Sequence, residues 1–343
     1  MRPIFIFFVL TRLTLVTALS AMLAMPAHAA TLRGAGATFP APLYAMWATQ
    51  YREATAVDVR YEAIGSGAGI QGIESGAVDF GASDIPLTAA QLSSAGLIQF
   101  PAIVGGVVPV VNIDGIGSGQ LRLSGAVLAD IYLGRIQKWN APEIAALNPG
   151  VHLPRANITV VHRADASGTT FLWSSFLALA SKDWKVPAAL TVAWPLGIAA
   201  VGNEGVASMV QRTRTSIGYV EYTYARTHKL RVAALQNRDG EFVVPSANGF
   251  HAAMDAAWRS GASLDALLIN QAGAESWPIT AASFVLLRNS AEAAENNREV
   301  LKFFDWALTH EQKAAQDLEY VALPDEAVRK VQKSWPSSTH AQP

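Results

Sequence analysis

One local pattern recurs along this chain and limits what it can become: an apolar or alternating run, a short turn rich in Gly, Ser or Thr, and then apolar residues at helical spacing. Val57, Val59, Tyr61 and Ala63 alternate with Asp58, Arg60 and Glu62, the period of a half-buried strand. They run into Ile64-Gly65-Ser66-Gly67-Ala68-Gly69, after which Ile70, Ile73 and Glu74 suit a helix. Upstream, Gly34-Ala35-Gly36-Ala37-Thr38-Phe39-Pro40 precedes Pro42, placed for a first helical turn, with Leu43, Met46, Trp47 and Tyr51 behind it. A third strand, Val78 to Gly81, ends in Ala82-Ser83-Asp84, and a fourth, Ile158 to Val161, enters Arg163-Ala164-Asp165-Ala166-Ser167-Gly168-Thr169 before a helix from Phe171. Strands alternating with helices predict an α/β fold with mainly parallel sheets.

The remaining runs fit that class. Ile103 to Ile113 is apolar but broken by Gly105-Gly106 and Pro109; it is too short for a membrane span and suits a strand crossing between domains. Ser124 to Gly134 reads as a helix stopped by its glycine, and Trp139 to Arg155 as loop with a short helix. Gly202-Asn203-Glu204-Gly205 leads an amphipathic stretch, and Ile217 to Tyr222 and Ser283 to Leu287 read as strands. Helices are expected over the Ala-rich His251 to Leu267, Glu299 to Leu308 and Glu311 to Leu318, with Pro324 closing that part.

The length, 343 residues, allows a large core and favours two domains. A formal charge of −1 gives no reason to expect nucleic acid or an anionic membrane as partner. Residues 1–29 read as a secretory signal peptide: Arg2 and Arg12 are its only charges, Leu13 to Met25 is apolar or small, and Pro26-Ala27-His28-Ala29 offers a cut near Ala29. Losing both arginines leaves 24 basic residues against 27 acidic ones, a mature charge of −3. With no cysteine, an exported chain must be held by its core alone, and the periplasm fits best.

Each turn has an ordinary reading by itself. Thr38 could simply cap a helix, a Gly-Ser-Gly turn is common, Asp84 could be a solvated turn carboxylate, and Arg163 with Asp165 a weak surface pair. Ligands of α/β sheets, however, bind beyond the carboxyl ends of strands. Together the turns would bring the hydroxyls of Thr38, Ser66, Ser167 and Thr169, helix N-termini, one guanidinium and one carboxylate to one place. That set suits a small tetrahedral oxyanion stripped of water.

The stretches Gly34 to Pro40, Ile64 to Gly69, Val78 to Asp84, Arg163 to Thr169 and Ile217 to Tyr222, with Asp130 to Gly134 and Leu301 to Trp306, resemble the periplasmic phosphate-binding proteins of bacterial high-affinity uptake systems. The resemblance covers essentially the whole mature chain. It implies a two-lobed periplasmic-binding-protein fold of the class II type, each lobe a mainly parallel sheet flanked by helices. Lobe 1 would hold 30–105 plus 280–343 and lobe 2 106–279, with crossings near Gly105-Gly106 and Pro278-Ile279. It implies phosphate contacts from Thr38, the Phe39 N–H, Ser66, Asp84, Arg163, Ser167, the Gly168 N–H and Thr169, with Asp165 steadying the arginine. The partners implied are inorganic phosphate and the permease subunits of an inner-membrane ABC transporter. Three positions depart from the related pattern: His162 before Arg163, and Gly67 and Ala166 in place of Ser and Gly.

A carboxylate facing an anion is tolerable only if the ligand brings a proton, which phosphate does at neutral pH and sulfate does not. The rival reading is a secreted phosphatase or hydrolase using Ser66 or Ser167. It needs a base, and of His152, His162, His228, His251, His310 and His340 only His162 lies near a motif. Strand alternation turns His162 to the face opposite Arg163, and there is neither a G-x-S-x-G elbow nor an H-E-x-x-H helix. No catalytic residue, metal or cofactor is therefore expected. A monomer is expected, since no heptad pattern appears.

Overall fold

The computed structural model describes residues 31–336; the expected signal segment 1–29 and His340 lie outside the described residues. β1 (Thr31–Gly36), β2 (Asp58–Ala63) and β3 (Phe80–Ser83) are each followed by a turn, and helices α1 (Ala41–Thr55) and α2 (Ser66–Glu74) return the chain between them. Helix α3 (Ala89–Ala95), not foreseen above, starts from a capping box between Thr88 and Gln91 and leads into the long strand β4 (Leu97–Asn112).

The middle of the chain contains β5 (Arg122–Leu123), α4 (Gly125–Tyr132), α5 (Pro142–Leu147), β6 (Thr159–Arg163), α6 (Gly168–Ala180), β7 (Ile198–Ala200), α7 (Gly202–Arg212), β8 (Ser216–Glu221) and α8 (Tyr222–Thr227). β9 (Arg231–Val232), β10 (Ala234–Gln236), β11 (Phe242–Val243) and α9 (Ala247–Arg259) follow. β12 (Thr280–Arg288), a 3₁₀ turn (Ala291–Ala293), α10 (Ala294–His310), α11 (Gln312–Asp317) and α12 (Asp325–Ser334) complete the described chain. None of these helices is long and apolar enough to cross a membrane.

The main sheet runs β2-β1-β3-β12-β4-β8-β6-β7, with β9 also on β4; β11-β10-β5 form a small second sheet. It is a mixed α/β sheet. Its two ends, β2-β1-β3 and β8-β6-β7, are parallel, as the strand–helix alternation predicts. Its middle, β3-β12-β4-β8, is antiparallel. β4 holds that middle together, and every residue from Phe100 to Val111 is buried, as expected of a strand covered on both faces. It pairs with β12 as far as Gly106 and with β8 from Val107 on, so it changes partner at the double glycine.

Two aromatic clusters flank this point. Tyr44, Phe80 and Phe304 pack edge to face on one side, and Trp173 stacks on Tyr219 with ring centroids 4.9 Å apart on the other. The Ala-rich helix ends at Arg259, short of Leu267, because the chain turns at Gly261 with φ +82°. Pro324 does not close the helical part; it immediately precedes α12, a place where a missing N–H costs nothing.

Candidate functional site

The turns after β1, β2, β3 and β6 converge where the parallel ends of the sheet face each other. The N–H groups of Asp84 and Gly168 both donate to Ser66 Oγ, each at 3.2 Å, which ties three of the four turns to one hydroxyl. Thr38, Phe39, Ser66, Asp84, Arg163, Ser167 and Thr169 are all buried, none more than 4% exposed.

The hydroxyls share one feature. Each accepts a hydrogen bond from the protein. Thr38 Oγ1 accepts from Asn203 Nδ2 at 2.9 Å, and Ser66 Oγ from the two N–H groups already named. Ser167 Oγ accepts from Thr170 N–H at 3.1 Å, capping α6, and Thr169 Oγ1 from Arg163 Nη1 at 3.2 Å. A hydroxyl has one proton; that of Ser66 faces the Asp84 carboxyl, while no bond donated by Thr38, Ser167 or Thr169 is found among the described residues. The Phe39 N–H likewise has no partner among the described residues. Three buried hydroxyls with protons to give form a set of donors, and an acceptor-rich anion satisfies them.

Arg163 supplies the charge. Its Nε donates to Asp165 Oδ1 at 2.7 Å and Nη2 pairs with Asp165 Oδ2. With Nη1 on Thr169, N–H groups on both Nη atoms remain uncommitted. Burial works to raise the Asp165 carboxyl, but the Arg163 hydrogen bonds and charge, with the Gly202 N–H at 3.0 Å, outweigh it and hold the group below the usual range. Asp165 therefore fixes the guanidinium plane.

Asp84 is in the opposite situation. No cation is bonded to it among the described residues; Oδ1 accepts from Ser283 Oγ at 2.9 Å. Burial pushes its carboxyl up to about 7, against the pull of Ser283, Arg163 and Ser66.

Close approach of the turns depends on Gly168. A Cβ there would lie 2.5 Å from Ser66 Oγ and 2.7 Å from Asp84 Cβ, so only glycine lets the start of α6 reach the other turns. His162 faces away, as alternation predicts: its Nδ1 is 3.1 Å from its neighbour's carbonyl and its ring stacks on Trp194. No histidine is bonded to Ser66 or Ser167 among the described residues.

The nine expected residues thus meet, with the Gly168 N–H committed to Ser66 in this structure. Sequence reasoning missed the groups behind them. Asn203 bonds the Thr38 hydroxyl, Tyr224 Oη donates to the Thr38 carbonyl at 2.8 Å, Tyr320 Oη to the Phe39 carbonyl at 2.7 Å and Tyr61 Oη to the Ala37 carbonyl at 2.7 Å. Asn203 sits in a Gly-rich turn before a helix, the very pattern of the four site turns, and could have been found by it. Ser283, Tyr224 and Tyr320 carry no such signal.

The PBP superfamily domain profile matches residues 24–311. The phosphate-binding protein PstS of Pasteurella multocida is 50% identical over 327 residues, 94% of this chain and 95% of that protein. Its counterpart in Haemophilus influenzae is 48% identical, covering 90% of this chain and 93% of that protein. A high-affinity periplasmic phosphate-binding protein, PfluDING, solved with phosphate bound, superposes with a TM-score of 0.69 at 22% identity over 90% of this chain and 94% of its own, and so shares the fold. The chain belongs to the PBP superfamily and, within it, to the PstS phosphate-binding proteins.

Proposed function

We propose that this protein binds inorganic phosphate between two lobes, 30–105 plus 280–343 and 106–279, and delivers it to the permease subunits of an ABC transporter in the inner membrane. The observation that carries the reading is the donor set: the buried hydroxyls of Thr38, Ser167 and Thr169 with protons to give, around a buried arginine held in plane by Asp165. The relatives named as phosphate-binding proteins match nearly the whole chain, which supports the same ligand here. The protein acts as a binder and not as an enzyme, a reading supported by relatives that are phosphate-binding proteins.

On this reading Thr38, the Phe39 N–H and Ser66 contact the anion from lobe 1, with Arg163, Ser167, the Gly168 N–H and Thr169 facing them from lobe 2. Groups on two lobes gain their bonds only when the lobes meet, so phosphate favours the closed form, which the permease reads. The mature protein is a periplasmic monomer exported by a signal cut near Ala29.

Asp84 sets the selectivity. With Oδ1 taken by Ser283, the carboxylate's other oxygen accepts a hydrogen bond from the ligand's hydroxyl, which hydrogen phosphate carries and sulfate lacks. Calorimetry with both anions tests this on wild type and Asp84→Asn. The variant amide can donate, so its preference for phosphate should narrow by about a hundredfold. Tight sulfate binding by the wild type would sink the reading.

A further inference from the structure

Glu221 ends β8 as a fully buried carboxyl with no cation bonded to it among the described residues. Its main-chain N–H donates to Asn203 Oδ1 at 3.0 Å, and Asn203 in turn donates to the Thr38 hydroxyl. Its side chain accepts from Thr223 N–H at 2.9 Å. Two hydroxyls lie against the same carboxyl, and each is closer to a main-chain carbonyl. Tyr320 Oη is 2.7 Å from the Phe39 carbonyl and 3.0 Å from Glu221 Oε2. Thr223 Oγ1 is 2.8 Å from the Leu318 carbonyl and 3.3 Å from Glu221 Oε1.

A hydroxyl has one proton and a carbonyl has none. When Tyr320 and Thr223 serve the carbonyls, a hydrogen between them and Glu221 must come from the acid itself, whose single proton can serve only one contact, the shorter one to Tyr320. We propose that Glu221, carrying its proton, is a positioning residue of the anion site: it donates to Tyr320 Oη, which donates to the Phe39 carbonyl and so holds the Thr38-Phe39 turn. When Glu221 ionises, Tyr320 turns its proton to the carboxylate, and the Phe39 carbonyl loses its donor. This rests on phosphate being the ligand of that turn.

The surroundings favour the neutral acid. Burial pushes the Glu221 carboxyl up to about 8; bonds from Thr223 and Tyr320 pull against this, and the Asp84 charge adds to it. β4, packed on α8, brings no charge. On α8 Arg226 is paired with Glu319, beside Tyr320, and on α7 Glu204 is bonded to His228. The folded-state value lies above that of a free glutamate, so the neutral acid and its tie to Phe39 persist below about pH 8 and are lost as pH rises through it.

Two measurements test this. Phosphate dissociation constants of wild type, Glu221→Gln and Tyr320→Phe are compared from pH 7 to pH 9.5; because all share the ligand's own ionisation and that of Asp84, only ratios are read. The side-chain amide that Glu221→Gln puts in place of the acid donates at every pH, so wild type should weaken relative to Glu221→Gln by about tenfold across that range. Tyr320→Phe, with no hydroxyl to turn, should show no alkaline loss of its own relative to Glu221→Gln. Infrared difference spectra of phosphate-free wild type against Glu221→Gln at pH 7 should show the carbonyl stretch of a protonated carboxylic acid. A ratio that stays flat, or no acid band at pH 7, overturns the proposal. Failure of the wild type to bind phosphate at pH 7 is a separate result: it overturns the proposed function, while the acid band is read without ligand.

Discussion

At the scale of single residues, Gly67 and Ala166 meet across the site. The Gly67 N–H donates to the Ala166 carbonyl at 3.0 Å, and a Cβ on Gly67 would fall 2.6 Å from the Ala166 methyl. A methyl on one side therefore requires none on the other. Gly67→Ser alone should weaken phosphate binding by about tenfold, the cost of about 1–3 kcal/mol for an overpacked contact. Adding Ala166→Gly should recover most of that loss. A double-mutant cycle read by calorimetry decides it, and purely additive losses would rule the contact out. Both residues stood in readable turns, but their contact was not readable, since 67 and 166 are joined only by folding.

At the scale of elements, legibility follows sequence distance. The four site turns were readable because strand, turn and helix are contiguous there, and contiguity carries period and cap together. The antiparallel middle of the sheet was not readable. β4 and β12 show only as apolar runs, and nothing in an apolar run names its partner. Ser283 and Tyr320 stayed hidden for the same reason: each reaches the site from the far end of the chain, with a residue type common everywhere. β4 also shows what its double glycine does. A Cβ at Gly106 would lie 2.1 Å from the Phe250 ring, which packs edge to face on Trp277, whose indole N–H donates to the Val107 carbonyl at 2.9 Å. The strand changes partner where an aromatic ring lies directly on its backbone. Gly106→Val should cost about 1–3 kcal/mol by forcing that ring aside, seen as a lower urea midpoint. An unchanged midpoint would mean that the ring moves freely and does not fix β4.

At the scale of the whole molecule, the site is assembled from distant parts of the chain, and so is the sheet beneath it. β12 lies between β3 and β4, and its Ser283 reaches Asp84 across 199 residues of sequence. This has a consequence for time as well as space. Until residues 280–288 are available, β3 and β4 have no strand between them and the first half of the sheet stays incomplete, so the chain cannot lock early. Non-local pairing of this kind slows folding. If the chain is exported as proposed, that delay is useful: it leaves the first half of the sheet open until nearly all of the polypeptide has been made. A chain stopped after Glu275 should accordingly yield no protease-resistant core by limited proteolysis, whereas a stable amino-terminal fragment would show that the first half folds without waiting for its central strand.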